Sequence, residues 1–164
     1  MSSAVRRVWD YLRAQRVLWV VLALILLLDR LTKIWALAVL PENPIALFPF
    51  LHLTYVENTG AAFGMFQNGN GLLIGVMLVI IAYILYSWRG LCAHGALVRW
   101  GAVFILAGAF GNLYDRITLG FVVDFLDLRV WPVFNVADSF ITIGACLFAC
   151  SLFQGGKRKK TEEK

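Results

Sequence analysis

The chain has 164 residues, 60% of them hydrophobic and 15% charged, with a formal net charge of +5. Soluble domains carry about 25% charged residues and interrupt apolar helices with polar positions, so this composition excludes an ordinary soluble domain. The basic residues lie at the ends of apolar runs and form no aromatic-interleaved patch, so a nucleic-acid partner is not expected and lipid is the expected solvent.

A hydrocarbon core of about 30 Å takes about 20 helical residues to cross, and four stretches are long enough: residues near 17–40, 70–88, 97–117 and 135–154. Four basic residues, Arg6, Arg7, Arg13 and Arg16, precede the first of them. A charged start followed by an apolar run also describes a cleavable signal peptide, with Ala36-Leu37-Ala38 imitating a cleavage site. The run is too long for a signal core and contains Asp29, Arg30 and Lys33, so a retained span is the preferred reading. Residues 41–69 form a first outer segment, in which Phe50 to Val56 alternate as a short strand before the turn-prone Asn58-Thr59-Gly60. A short basic connection, 89–96, joins the second and third spans, and a second outer segment, 118–134, joins the third and fourth.

The predicted fold is an all-α membrane protein of one domain, with four transmembrane helices and a small extracytoplasmic β element. Eleven of the fifteen lysines and arginines fall on the N-terminal arm, the 89–96 connection with its flank, and the tail 157–164. The positive-inside rule therefore places both termini in the cytoplasm and both longer connections outside. Cys92 falls in a short loop, while Cys146 and Cys150 lie one turn apart in an apolar span, so all three read as small packing residues rather than disulfide partners. Two histidines, with no HExxH and no CxxC, offer no recognisable metal site, and neither metal nor cofactor is expected.

Ionisable groups inside a span cost at least about 2.5 kcal/mol near its centre, so their depth is informative. Counted from the inner end, Asp29 lies about 18 Å along the first span, Lys33 about 24 Å, and Asn112, Asp115 and Arg116 about 22 to 29 Å along the third. Asn135 and Asp138 occupy the outer turn of the fourth. Three helices thus bring polar residues to one outer depth, and their i, i+3 and i, i+4 spacings put each set on one face. Asp29 and Lys33 also fit a self-neutralising pair that lets Lys33 snorkel to the interface, and Asp115 beside Arg116 fits an ion pair to a loop.

Asp124 and Asp138 remain as carboxylates without a basic neighbour in sequence. Two such groups in one site cannot both ionise cheaply, so one keeps its proton near neutral pH. An acid and base pair follows: the ionised member takes a proton from water while its partner polarises a carbonyl and protonates the leaving amine. A proton or ion relay would use the same residues.

The ordered motifs are Asp29 to Lys33, Asn58-Thr59-Gly60-Ala61-Ala62-Phe63-Gly64, Gly111-Asn112-Leu113-Tyr114-Asp115-Arg116, Val122-Val123-Asp124-Phe125 and Phe134-Asn135-Val136-Ala137-Asp138-Ser139. Together they strongly resemble the bacterial lipoprotein signal peptidase (signal peptidase II) family. The resemblance implies a four-helix aspartyl peptidase of the bacterial cytoplasmic (inner) membrane, with its active site at the outer face. It implies cleavage of prolipoproteins on the amino side of a diacylglyceryl-modified cysteine, with lipid-modified prolipoproteins and membrane lipid as partners and globomycin-like inhibitors as ligands. By motif matching, Asp124 and Asp138 become the catalytic dyad, supported by Asp29, Lys33, Asn58, Gly60, Asn112, Asp115, Arg116 and Asn135. Arg30 departs from the pattern, since the family often has glutamine there. Asp115 competes for a place in the dyad, but Arg116 and Asn112 offer it a structural role, so Asp124 ranks above it. Asn58-Thr59-Gly60 reads as a simple turn or as a place where an extended peptide approaches the backbone. The rival from another class is a small proton-coupled carrier, against which stand the missing internal symmetry and missing broken helices. A non-catalytic assembly subunit would leave the common depth of the polar residues without a reason.

Overall fold

The computed structural model describes residues 3–60 and 69–162. Five helices and three strands follow in the order α1 (Ser3–Val39), β1 (Ile45–Phe48), β2 (Leu51–Asn58), α2 (Asn70–Tyr86), α3 (Trp88–Ala93), α4 (Ala96–Thr118), β3 (Val122–Asp127) and α5 (Val136–Glu162). Each of the four predicted apolar stretches falls on a long helix, but α1 begins at Ser3, well before residue 17, and α5 runs past residue 154 to Glu162. Two of them, Ala96–Thr118 and Val136–Gln154, are long and apolar enough by themselves to cross a membrane, and Asn70–Tyr86 is a shorter apolar helix. The stretch predicted over 70–88 ends at Tyr86, and the short connection, expected to be a loop, contains the helix α3, which carries Cys92. Gly95, at φ 106°, makes the turn into α4 in a region of backbone space that side-chain-bearing residues avoid.

α4 is the central helix, and α1, α2 and α5 pack around it. Its buried face is built of small residues, among them Gly101, Ala102, Ala107, Gly108 and Gly111, which let neighbouring backbones come close. A Cβ at Gly108 would collide with the carbonyl oxygen of Ala137 on α5. Gly108→Ala is therefore expected to separate α4 from α5 and destabilise the protein by about 1 to 3 kcal/mol, read as a lower Tm of the detergent-solubilised protein.

The outward faces are apolar: Val20, Leu24, Leu27 and Leu31 on α1, and Val76, Val79 and Tyr83 on α2, are all exposed. This inside-out pattern suits lipid as the solvent. Cys146 and Cys150 lie on such an outward face and are exposed, so the packing role expected of them does not hold; all three cysteines are free thiols.

The three strands form one antiparallel sheet in the order β1-β2-β3. β2 takes in Leu51 to Val56 of the expected strand, leaves Phe50 in the turn before it and runs on to Asn58, and β3 arises from residues 118–134, where the expectation was a loop folding back. Val122, Val123, Asp124 and Phe125 are all buried, so a period-two alternation is absent from β3. Val123 and Phe125 pack with Ala36 and Leu40 at the end of α1, which fastens the sheet to the helices. The register pairs Val56 with Asp124 and Asn58 with Val122, carrying Asn58 to within reach of Asp124.

Candidate active site

Where the sheet meets the C-terminal end of α4 and the N-terminal end of α5 there is a cavity of about 570 Å³. Asn58, Gly60, Asn112, Arg116, Asp124 and Asp138 line it, with Trp131 and Phe134 from the β3–α5 loop among its other walls. The structure thus brings together six of the ten residues singled out in the sequence around one space. Asn135, Asp29, Lys33 and Asp115 stand behind them.

Local chemistry explains how each aspartate is held. Asn135 precedes the first residue of α5, and its Oδ1 accepts the N–H of Asp138 at 2.9 Å while the Asp138 Oδ2 accepts the N–H of Asn135 at 3.2 Å. This reciprocal pair is a capping box, with aspartate at its third helical position. The next free donor of the first turn, Ala137 N–H, reaches Asp29 Oδ1 at 2.9 Å. Asp138 Oδ1 accepts the amide Nδ2 of Asn112 at 2.7 Å. Asp124 accepts one amide at each oxygen, from Asn135 Nδ2 at 2.7 Å and Asn58 Nδ2 at 2.8 Å. Asn58 is itself oriented by its Oδ1, which accepts the N–H of Gly60 at 3.0 Å in an Asx turn. The rest of that motif, Ala61-Ala62-Phe63-Gly64, lies outside the described residues.

Among the described residues, neither Asp124 nor Asp138 makes an ion pair, and every hydrogen bond found to their carboxylates comes from an amide. Asp124 is 1% exposed. Burial, and next the charge of Asp138, push its carboxyl up to about 7, against the pull of the Asn58 and Asn135 amides.

Arg116 supplies the positive charge of the cavity. Its Nη2 donates to the Gly60 carbonyl at 2.6 Å and its Nη1 to Asn70 Oδ1 at 3.2 Å, and Asn70 Nδ2 returns a bond to the Arg116 carbonyl at 3.1 Å. Asn70 was missed in the sequence; the available signal was a polar residue at the very start of an apolar helix.

Behind the cavity is a second polar group. Lys33, completely buried, lies 2.9 Å from Asp29 Oδ2 and 3.0 Å from Asp115 Oδ2, and donates to Asn112 Oδ1 at 2.9 Å. The expected Asp29–Lys33 pair is present, but Lys33 does not snorkel: it is fully buried, and α4 supplies its other partners. Asp115 does not pair with Arg116 as the sequence suggested. It takes Arg30 Nη1 at 3.2 Å, Lys33, and the N–H of Val123 at 3.3 Å, while Arg116 faces the cavity. Arg30 also lies over the Tyr114 ring, 4.6 Å from its centroid. This partner settles the local pairing of Arg30: it serves Asp115 and leaves Asp29 to Lys33.

A family model described as signal peptidase (SPase) II matches residues 21–154 of the chain. The chain is 45% identical over 145 residues to a lipoprotein signal peptidase of Caldanaerobacter subterraneus subsp. tengcongensis, covering 85% of this chain and 98% of that one. It is 43% identical over 145 residues to a lipoprotein signal peptidase of Syntrophomonas wolfei subsp. wolfei, covering 87% and 96%. Its fold is similar to that of a bacterial membrane enzyme solved by the in meso method at 2.3 Å, with a TM-score of 0.80, 26% identity, and 87% and 91% of the two chains covered. The matched residues include every polar side chain of the site, from Asp29 to Asp138. The chain belongs to the signal peptidase II family of proteases.

Proposed function

We propose that Asp124 and Asp138 are the catalytic dyad of a membrane aspartyl endopeptidase. As a family member the chain removes signal peptides from prolipoproteins, and the finer reading is cleavage on the amino side of a diacylglyceryl-modified cysteine. The observation that carries the dyad is that two carboxylates line one cavity, each held by amide donors and, among the described residues, by no cation. In the reaction, the ionised member takes one proton from water and the resulting hydroxide adds to the scissile carbonyl. The protonated member hydrogen-bonds the carbonyl oxygen and then gives its proton to the departing amine as the C–N bond breaks. The two members have then exchanged protonation states, and the carboxyl product keeps the water oxygen.

The supporting residues divide by position. Asn58, Asn112 and Asn135 orient the dyad, Arg116 and Gly60 face the substrate backbone, and Asp29, Lys33 and Asp115 anchor the elements behind it. In this reading all four long helices cross the inner membrane, both termini are cytoplasmic, and the cavity opens at the outer face. The lipid of the substrate enters sideways from the bilayer, and a globomycin-like cyclic peptide competes for the cavity.

Incubating the purified protein with a lipid-modified prolipoprotein tests this reading. The expected product is the freed signal peptide, and proton-coupled flux in sealed vesicles without cleavage would instead support a carrier. Because a dyad needs one proton and Asp124 is pushed up to about 7, the proton leaves as pH rises through that value. The pH profile of kcat/KM is expected to fall on an alkaline limb centred near that pH.

A further inference from the structure

We infer that Lys33 is the positioning residue that sets how Asp124 and Asp138 stand relative to each other. The inference rests on the dyad reading above. An ammonium has three N–H donors and no acceptor, and Lys33 has three partners: Asp29, Asp115 and Asn112. Each partner reaches the dyad in one further step. Asp29 holds the N–H of Ala137, the residue before Asp138. Asp115 holds the N–H of Val123, the residue before Asp124. Asn112 holds Asp138 Oδ1 through its Nδ2.

One arm therefore grips the backbone beside each aspartate, and the same cation closes both. The third arm fixes an amide. Lys33 and Asn135 Nδ2 both donate to Asn112 Oδ1, so that oxygen is committed as an acceptor and the Asn112 NH₂ must point to Asp138. Lys33 is fully buried, so solvent has no access to these bonds. The charged groups around it are Asp29 on its own helix, Asp115 with Arg30 attached, and, beyond Asn112, Asp124, Asp138 and Arg116.

The test compares Lys33→Met and the charge-compensated pair Lys33→Met with Asp29→Asn, in the full chain, on a lipid-modified prolipoprotein. Thermal melting gives the folded fraction, and rates are expressed per folded molecule across the pH range. Misplacement of reacting groups by about 1 Å costs about 100-fold, so kcat is expected to fall on that order with KM little changed. The alkaline limb is expected to move to higher pH, because the positive charge that favours the ionised form of Asp124 is gone. A role confined to stability would lower Tm and leave kcat per folded molecule and the limb where they are. Wild-type kcat and an unmoved limb in either variant would overturn the inference. Asp124→Asn and Asp138→Asn are assayed alongside: activity in these would sink the dyad itself, whereas their inactivity with unaffected Lys33 variants would sink only the positioning role.

Discussion

Asp124→Asn and Asp138→Asn are each expected to lower kcat on a lipid-modified prolipoprotein by at least about 1000-fold, the scale of a lost general acid or base. Asparagine keeps the size and outline of aspartate but can neither take a proton from water nor release one to an amine. The environment makes the substitution informative in a second way. Both Asp124 oxygens accept amide N–H groups from Asn58 and Asn135, and both Asp138 oxygens accept N–H groups from Asn112 and the Asn135 backbone. An asparagine NH₂ turned toward any of these meets a donor, so a modest fall in Tm accompanies the loss of activity. Thermal melting in detergent separates the two effects: a folded, inactive variant is the predicted result.

The second large effect is expected at Asn135. Its side chain does three things at once: Nδ2 donates to Asp124 Oδ1 and to Asn112 Oδ1, and Oδ1 caps the first turn of α5 at Asp138 N–H. Asn135→Ala removes the cap, worth about 1 kcal/mol, and takes the amide donor from the buried Asp124 Oδ1, while Asn112 Oδ1 keeps only Lys33. Asn135→Ser restores an N-cap oxygen without restoring the bridge between Asp124 and Asn112. Tm is therefore expected to recover in the serine variant while kcat stays depressed by about 100-fold, as misaligned catalytic groups require. Equal recovery of both quantities would show that Asn135 acts only as a helix cap.

Much of this site is legible in the sequence, because the constraint that shaped it is written along single helices. Charged and other polar residues are costly in lipid, so Asp29, Lys33, Asn112, Asp115, Arg116, Asn135 and Asp138 had to cluster, and counting 1.5 Å per residue placed them near one depth. The i, i+3 spacing of Asn135 and Asp138 carried their capping relationship directly. Partners from different elements were less legible. Asp115 and Arg116 are adjacent in sequence, yet successive helical side chains point about 100° apart, which sent Asp115 back toward α1 and Arg116 into the cavity.

Lys33 looked able to snorkel because only its own helix was in view. The partners that hold it inside, Asn112 and Asp115, come from α4, a helix far along the chain. The only signal at Asn70 was its polarity at the start of an apolar helix, because its role exists only once α2 is laid against the end of α4. The outward exposure of Cys146 and Cys150 was hidden for the opposite reason: α5 is apolar around most of its circumference, so its sequence does not mark which face meets α4.

The central claim is that Asp124 and Asp138 act as one acid and base unit, and its most direct test is the rate of the double variant, Asp124→Asn with Asp138→Asn, beside the two single variants. Groups that work as a unit lose their function together, so the double variant is predicted to cleave a lipid-modified prolipoprotein no more slowly than either single one. Partial activity in each single variant, with the two losses multiplying in the double, would contradict it.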